Sequence, residues 1–562
     1  MNIVSFGNQN IILNSNPTKS FFKTTYAKYT NFGMQKFRID FTGLRNLRMS
    51  EESRFTFTVP RYAELLMDTY VVVTLPTIWS PIYPPQTCGD AWRPYEFRWI
   101  ENLGTQMIKE ITFSVGGQIL QRMSGKYLLA QVQRDFNGTK RFTYDTMTGN
   151  TAELNDPANF SGRRGTYPSV YYNTSQQGPE PSIRGRKLYI PINAWFCNNS
   201  RTAFPLVALQ YNELQIDVVM RPVRDLFVTR DINYAPPTTG SLTPAQVAQA
   251  PFIQPNFNEP EYQFYRFLQP PPAVNIIGAG VYSDKRTDWN ADVHLLSTYC
   301  FLSAEESRVF ASQEQKYLMK SAYDWDFKNV TGSQRVELQN TMGMVATWMF
   351  LFQRSDINLR NQWSNYTNWP YANVIPDDVT PAPATGDYPN PCPSPSPANI
   401  GPGVEPDGTP SGLFITRNYN VENQREILQQ LGIMMNGSYR ENLLDAGVYN
   451  YVEKYVRTSG SAPFGLYLYN FGLDADNETY QPSGAINMSK FSTIELEFNT
   501  YTPPLDPSAN YYTICDPETG IPIGVNKPQW RIYDYNYDLT VLEERYNVIT
   551  FIGGNCALMY AR

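Results

Sequence analysis

Glu495 and Glu497 stand two apart in "STIELEFNT", and in a strand that spacing puts both carboxylates on one face about 7 Å apart, compatible with the acid and base of an inverting glycosidase. A second alternating stretch, "NELQIDVVM", carries Gln215 and Asp217 at the matching positions, so the plainer expectation is the solvent side of an amphipathic strand. The chain has 1 histidine, His294, inside the apolar "DVHLLSTYCFL". Any Ser-His or Cys-His relay, or any histidine metal site, would have to be built from that residue, and a structural role is expected. Asp474, Asp476 and Glu478 in "LDADNET" could offer oxygens to calcium, but the segment lacks the glycine and distal glutamate of an EF-hand and reads as an acidic loop. "SVGGQIL" reads as a hairpin turn, because no phosphate-cradling Gly-rich pattern opens a helix there. The 6 cysteines, Cys88, Cys197, Cys300, Cys392, Cys515 and Cys556, form no Cys-x-x-Cys pair and are expected to be reduced thiols. The expectation is therefore no catalytic, cofactor-binding or metal-binding residue, and no enzyme.

The elements that hold these residues are strands. Phe55, Phe57 and Val59 alternate with polar residues in "RFTFTVP", as do Ile111, Phe113 and Val115 in "KEITFSVGG". Leu214, Ile216 and Val218 do the same, as do Ile494, Leu496 and Phe498. Helical spacing is scarcer: Leu128, Val132 and Phe136 recur at i, i+4, i+8, and Ser303 with Glu306 has capping-box spacing. Aromatic residues are 14% of the 562-residue chain, charged residues only 17%, and prolines number 43, a profile of many short strands and structured loops. The 39 Tyr, 31 Phe and 10 Trp could form sugar platforms, yet in a large β protein such rings fill cores and subunit interfaces. The formal net charge is −6 and no Lys/Arg run marks a terminus, so direct nucleic-acid binding is not expected. The opening "MNIVSFGNQNIILNS" has no basic stretch leading into an apolar one, and no 18-residue apolar run occurs, so a cytosolic chain that does not span a membrane is expected. The Asn-x-Ser/Thr sequons at Asn137, Asn173, Asn365 and Asn477 are then chance occurrences.

An internal repeat is visible. "ITFSVGGQILQRMSGKYLL" and "LGIMMNGSYRENLLDAGVY" share a strand, a Gly-containing turn and a helical stretch, while "FPLVALQYNELQIDVVM" matches "GAINMSKFSTIELEFNT". A third pair, "YAELLMDTYVVVTLP" with "DVHLLSTYCFLSAEE", sets Leu65-Leu66 opposite Leu295-Leu296. Three pairs in one order imply two copies of a β domain with unequal loop insertions. Residues 236–260, poor in charge and rich in Pro, Ala, Gln and Asn, are the expected linker. The denser "PAPATGDYPNPCPSPSPANIGPG" cannot be a strand and is expected to interrupt the second copy as a semi-rigid loop, at about 370–412.

The stretches "SFGNQNIILNSNPTKSFFKTTYAKYTNF", "ENLGTQMIKEITFSVGGQILQRMSGKYL", "LYIPINAWFCNNSRTAFPLVALQYNELQIDVVMRP", "YRFLQPPP", "YCFLSAEESRVFASQEQKYLM", "FQRSDINLRNQWSNYTNWPY", "LYNFGLDADNETYQPSGAINMS" and "YNVITFIGGNCALMYAR" resemble the major capsid proteins of nucleocytoplasmic large DNA viruses, most of all the mimivirus-like branch. The resemblance covers most of the chain. It implies an all-β fold of two tandem eight-stranded antiparallel jelly rolls, with short decorating helices and long loops. On the residues above, 1–25 would be an inner-face segment, 26–235 the first roll, 236–260 the linker and 261–562 the second roll. It also implies a homotrimer acting as a pseudo-hexameric capsomer that tiles an icosahedral shell in the virion, assembled in the host cytoplasm. Neighbouring capsomers, minor capsid and penton proteins would be partners. An internal lipid membrane would lie near the N-terminus, and extra outward loops at about 139–184 and 370–412 would meet the host surface. The alternatives are a minor capsid or scaffold paralogue of the same fold, and a carbohydrate-binding β-sandwich protein.

Overall fold

The computed structural model describes residues 8–83, 93–163, 165–170, 179–235, 241, 250–272, 282–339, 341–373, 424–476, 481–506, 512–526 and 532–560. Its strands form two copies of one plan. In the first copy a 4-stranded sheet runs in the order Ser53–Thr58, Leu214–Met220, Ile108–Val115, Gln118–Ser124. The facing sheet runs Phe32–Asp40, His294–Leu302, Leu65–Thr74, with Lys187–Pro191 and Phe204–Pro205 both on the last strand. The second copy repeats both orders. Ser333–Glu337, Ile494–Thr500, Leu428–Met435 and Ser438–Asp445 form its 4-stranded sheet. Gln315–Phe327, Tyr537–Ile552, Met344–Arg354 and Leu466–Asn470 form the facing one, with Ile486–Asn487 beside Met344–Arg354. Each copy is an antiparallel jelly roll, as expected.

The alternation read from sequence builds these sheets. Phe55, Phe57, Ile111, Phe113, Ile216 and Val218 all lie in the first roll's core, and Ile494, Leu496 and Phe498 in the second's. Both rolls close one hairpin with two left-handed residues, Gly116 and Gly117 (φ +58° and +82°) and Asn436 and Gly437 (φ +50° and +77°), the conformation a two-residue turn between twisted strands requires.

Two of the three expected repeat pairs occupy equivalent places in the two rolls; the third does not. Leu65–Thr74 and His294–Leu302 are neighbours in one sheet, with Val71 opposite Leu295 and Leu66 opposite Tyr299. They look alike because both are central strands of the same sheet. The counterpart of Leu65–Thr74 is Met344–Arg354, a run buried almost throughout, so its sequence lacks alternation. The expected division at 236–260 is also corrected. His294–Leu302, beyond it, pairs with Phe32–Asp40 over its whole length. A jelly roll's first and last strands are neighbours, so the chain must return to its first strand before leaving. The sheets therefore change between Leu302 and Gln315, where the helix Ala304–Ser312 connects them, its N-cap Ser303 accepting from the Glu306 amide.

Strict antiparallel alternation sorts the loops by end. Connections 59–64, 116–117, 206–213, 338–343, 436–437 and 488–493 all fall at one end of the rolls and are short. The strand ends that bound 75–107, 125–186, 221–293, 355–427, 446–465 and 501–536 all lie at the other end. Pro381 to Gly403 lies outside the described residues. The strands on either side of it, Met344–Arg354 and Leu428–Met435, both belong to the second roll.

Candidate assembly interface

Among the described residues, the acids and the histidine singled out for chemistry are tied to local partners. Glu495 and Glu497 do share a face, but Arg335 on the neighbouring strand reaches both, 3.9 Å from Glu495 and 3.1 Å from Glu497. The Tyr439 hydroxyl donates to Glu497 at 2.7 Å, and that bond, with Arg335, holds the Glu497 carboxyl below its ordinary value. A glycosidase acid needs the opposite shift. His294 opens its strand buried, its Nδ1 2.6 Å from the Asp292 carbonyl, and burial lowers its pKa. Asp292 is itself clamped by Arg38 at 2.6 Å. Asp474 accepts from the Asp476 amide within its own loop, and Glu478 lies outside the described residues. No metal-binding group of three or more His, Cys, Asp or Glu occurs among the described residues. Of the sequons, Asn365 is 2% exposed with its amide donating to the Trp369 carbonyl, and Asn137 caps the helix Gly138–Thr148 by accepting from the Lys140 amide. Asn173 and Asn477 lie outside the described residues. Cys197, Cys300, Cys515 and Cys556 carry free thiols.

What the structure brings together instead is a charged junction between the rolls. The helix Gly125–Asp135, N-capped by Ser124, lies on the outer face of the second roll's Gln315–Phe327/Tyr537–Ile552/Met344–Arg354 sheet. Its Arg134, 0% exposed, donates to Asp135 at 2.6 and 2.9 Å and to Glu544, also 0% exposed, at 2.9 Å. The Tyr127 hydroxyl donates to the other Glu544 oxygen at 2.9 Å, and Lys320 stands 4.0 Å from that carboxylate. Lys320 also donates to the carbonyls of Ala475 and Asp476, so the "LDADNET" loop closes the cluster. Burial pushes the Glu544 carboxyl upward, but Arg134 and Lys320 outweigh it and the net shift is downward. Asp135, sharing the same guanidinium, is pushed up to about 6 by burial. The second roll grips the helix end from the far side: Ser459 and Gly460 donate to the Asp135 and Arg134 carbonyls at 2.9 and 2.8 Å.

The rest of the junction runs the length of the rolls. At the short-loop end Trp195 meets Tyr317 and Phe204 meets Phe551, with ring centroids 5.5 and 5.2 Å apart. At the long-loop end Asn361 donates to the Arg224 and Phe227 carbonyls, Trp363 to that of Asp225, each at 2.8 Å, and Tyr371 to that of Phe252. Met349, Leu351, Leu466, Leu468 and Leu542 of the second roll belong to the first roll's apolar cluster. Sequence reasoning missed this junction, although it left a signal: Glu543, Glu544 and Arg545 sit consecutively inside a long apolar strand. Alternation sends Glu543 to the second roll's core, where it accepts from Trp348 and Arg545, and Glu544 to the first roll.

Two faces of the same kinds are left open. The second roll's counterpart helical segment, Val448–Val452 with Glu453–Arg457, exposes Tyr451, Val452, Tyr455 and Val456. The outer face of the first roll's Phe32–Asp40 sheet exposes Met34, Lys36 and Tyr189. Ahead of Phe32, the described N-terminal residues leave Phe21, Phe22, Tyr26 and Tyr29 exposed, Phe22 at 100%.

Comparison with known proteins agrees with this architecture. Residues 20–251 match the family model described as major capsid protein N-terminus, and residues 306–556 that described as large eukaryotic DNA virus major capsid protein. The two models flank the point where the sheets divide. The chain is 28% identical over 341 residues to the major capsid protein of Chrysochromulina ericina virus, covering 57% of this chain and only about half, 51%, of that relative. It is 22% identical over 516 residues to probable capsid protein 4 of Acanthamoeba polyphaga mimivirus, covering 88% of this chain and 91% of the relative. The Faustovirus major capsid protein shares the fold, with a TM-score of 0.58 at 12% identity over 94% of this chain and 92% of that one. Two matched family models, one on each roll, and relatives that extend across both place the chain in the major capsid protein family of large eukaryotic DNA viruses.

Proposed function

We propose that this chain is the shell-forming subunit itself: three copies close into a threefold capsomer, six rolls form its pseudo-hexagonal outline, and capsomers tile an icosahedral virion shell. The observation that carries the reading is the pairing of two equivalent rolls with one helix-to-sheet junction made and one complementary pair of faces left open. A subunit with one such junction made and the corresponding faces open can add further copies head to tail, and such contacts end when rotation closes the ring. The aromatic N-terminal residues sit before Phe32, at the short-loop end, and fit a shell interior where minor capsid and penton proteins and an internal lipid membrane would be met. The long-loop end, with 139–184 and 370–412, would then face outward toward the host. Assembly would take place in the host cytoplasm. Purified chain examined by light scattering should show a species of three times the 64.3 kDa chain, and threefold particles by negative stain. Monomer alone at about 10 µM would overturn the reading. A minor capsid or scaffold paralogue would assemble the same way, and is separated by abundance: the main subunit dominates the protein mass of purified particles.

A further inference from the structure

The geometry points to a peptide-binding cleft between the two rolls, in which Arg221 receives a carboxylate carried by an extended segment of another protein. The assignment is independent of the capsomer reading. A cleft of about 1090 Å³ runs between the rolls and is lined by both. On one side stands Gln118–Ser124, the last strand of the first roll's 4-stranded sheet, and on the other Gln315–Phe327, the first strand of the second roll's facing sheet. Each of these strands pairs along one side only, the first with Ile108–Val115 and the second with Tyr537–Ile552. Open strand edges are where extended peptides dock through their main chain.

The charges along the cleft identify the chemistry of the ligand. Five of the six basic side chains that line it are paired with a carboxylate, as Lys126 is with Asp326 at 3.2 Å and Lys328 with Asp538 at 2.8 Å. The sixth, Arg221, has no ion pair or side-chain hydrogen bond among the described residues, and its Nε is buried without a partner. Burial outweighs the more distant pull of Asp225 and Glu52 and lowers its pKa. What holds it is a ring: the guanidinium lies 4.5 Å from the centroid of Trp363. The Arg221 amide donates to the Met107 carbonyl and the Trp363 indole to the Asp225 carbonyl, both at 2.8 Å. The stack therefore joins a first-roll arginine to a second-roll tryptophan, and both are fixed before a ligand arrives. A stacked guanidinium keeps edge N–H donors free, and that flat fork matches a carboxylate. The one cleft acid without an ion pair, Asp324, is hydrogen-bonded to Ser124 and pulled by Lys126 and Arg122. Arg221 is then the charge left uncompensated, an unfavourable state that a bound carboxylate relieves.

The test is competitive retention of peptide pools by the full chain, read by ultrafiltration and mass spectrometry at about 150 mM salt. One pool mixes amidated peptides of Ser, Thr and Val, about eight residues long, that carry a central Glu or a central Gln. A second pool, without acidic side chains, mixes free with amidated C-termini. The charged members of one pool should be retained about 10-fold or more over their neutral counterparts, and the pool that shows it tells a side chain from a chain end. Arg221→Met, which keeps an apolar stem beside Trp363, should abolish the preference and melt no lower than wild type, because it removes a charge that no group of the chain pairs. No preference in either pool, or one that Arg221→Met retains, would overturn the assignment. Acetate that displaces the retained peptides at equal concentration would overturn the peptide cleft in favour of a small-anion site. Melting lowered by more than about 5 °C in Arg221→Met would show that the residue serves the fold, and would overturn the argument from its unpaired charge.

Discussion

Arg134→Met tests how the two rolls are held. The substitution keeps a long apolar stem beside Met349 but removes three charge-assisted hydrogen bonds, two to Asp135 and one to Glu544. Two carboxyls then share a fully buried site with Lys320. Breaking a buried pair by deleting one partner costs about 3–5 kcal/mol, and that loss is expected at pH 7.5. The pH dependence carries the sign. Asp135 is already raised to about 6 by burial against the pull of Arg134, and without the guanidinium both acids move up. A carboxyl whose folded pKa lies above its unfolded value of about 4 holds a proton that unfolding releases, so stability rises as pH falls. Each such group changes stability by up to about 1.4 kcal/mol per pH unit. Between pH 7.5 and 5.5 the deficit of Arg134→Met relative to wild type should therefore shrink by roughly 2–3 kcal/mol. Urea unfolding followed by tryptophan fluorescence at both pH values reads it, with Trp348 buried in the second roll's core as a reporter. A deficit below about 1 kcal/mol at pH 7.5, or one that does not change with pH, would refute the reasoning.

Four further outcomes follow from the same geometry. Gly125 opens the helix Gly125–Asp135 so close to the start of the strand Ile108–Val115 that an added Cβ would lie 1.9 Å from the Ile108 carbonyl oxygen; Gly125→Ala should cost about 3 kcal/mol or more, or yield no soluble protein. Gly437→Ala, at φ +77° with open space around it, should cost only about 1 kcal/mol, and thermal melting of the two separates crowding from backbone strain. Glu497→Gln removes an ion pair with Arg335 on a partly exposed face and should change stability by less than about 1 kcal/mol, with no loss of glycan binding on an array; a loss there would revive the carbohydrate reading. Deleting residues 381–403 should leave trimers intact, because the flanking strands belong to one roll; loss of folding would show that the segment packs into it.

Much of the fold was legible because alternation is a local property. Phe55, Phe57, Ile111 and Phe113 declare their inward face within a few residues, and the paired turns at Gly116-Gly117 and Asn436-Gly437 declare their hairpins. Legibility failed where burial is two-sided or pairing is distant. "TWMFLFQR" carries no alternation because its strand is covered on both faces, so its equivalence to Leu65–Thr74 was hidden, and a sheet neighbour was mistaken for a repeat. The domain boundary failed for a related reason. A proline-rich stretch looks like a linker, yet only the pairing of His294–Leu302 with Phe32–Asp40 shows that the chain is still completing its first roll.

Sequence by itself determined the class of the protein: strands, their inward faces, two copies, and motifs that resemble one viral family. Tertiary structure alone decided which surfaces are spent and which remain. Arg134 and Glu544 are 410 residues apart, and nothing local to either says that each is the other's counter-charge. Tyr189 and Leu468 become comparable only once the two sheets are superposed, strand by strand. Hydrophobic period is written in neighbouring residues, but charge complementarity between packed elements exists only where the chain has brought them within a few ångströms.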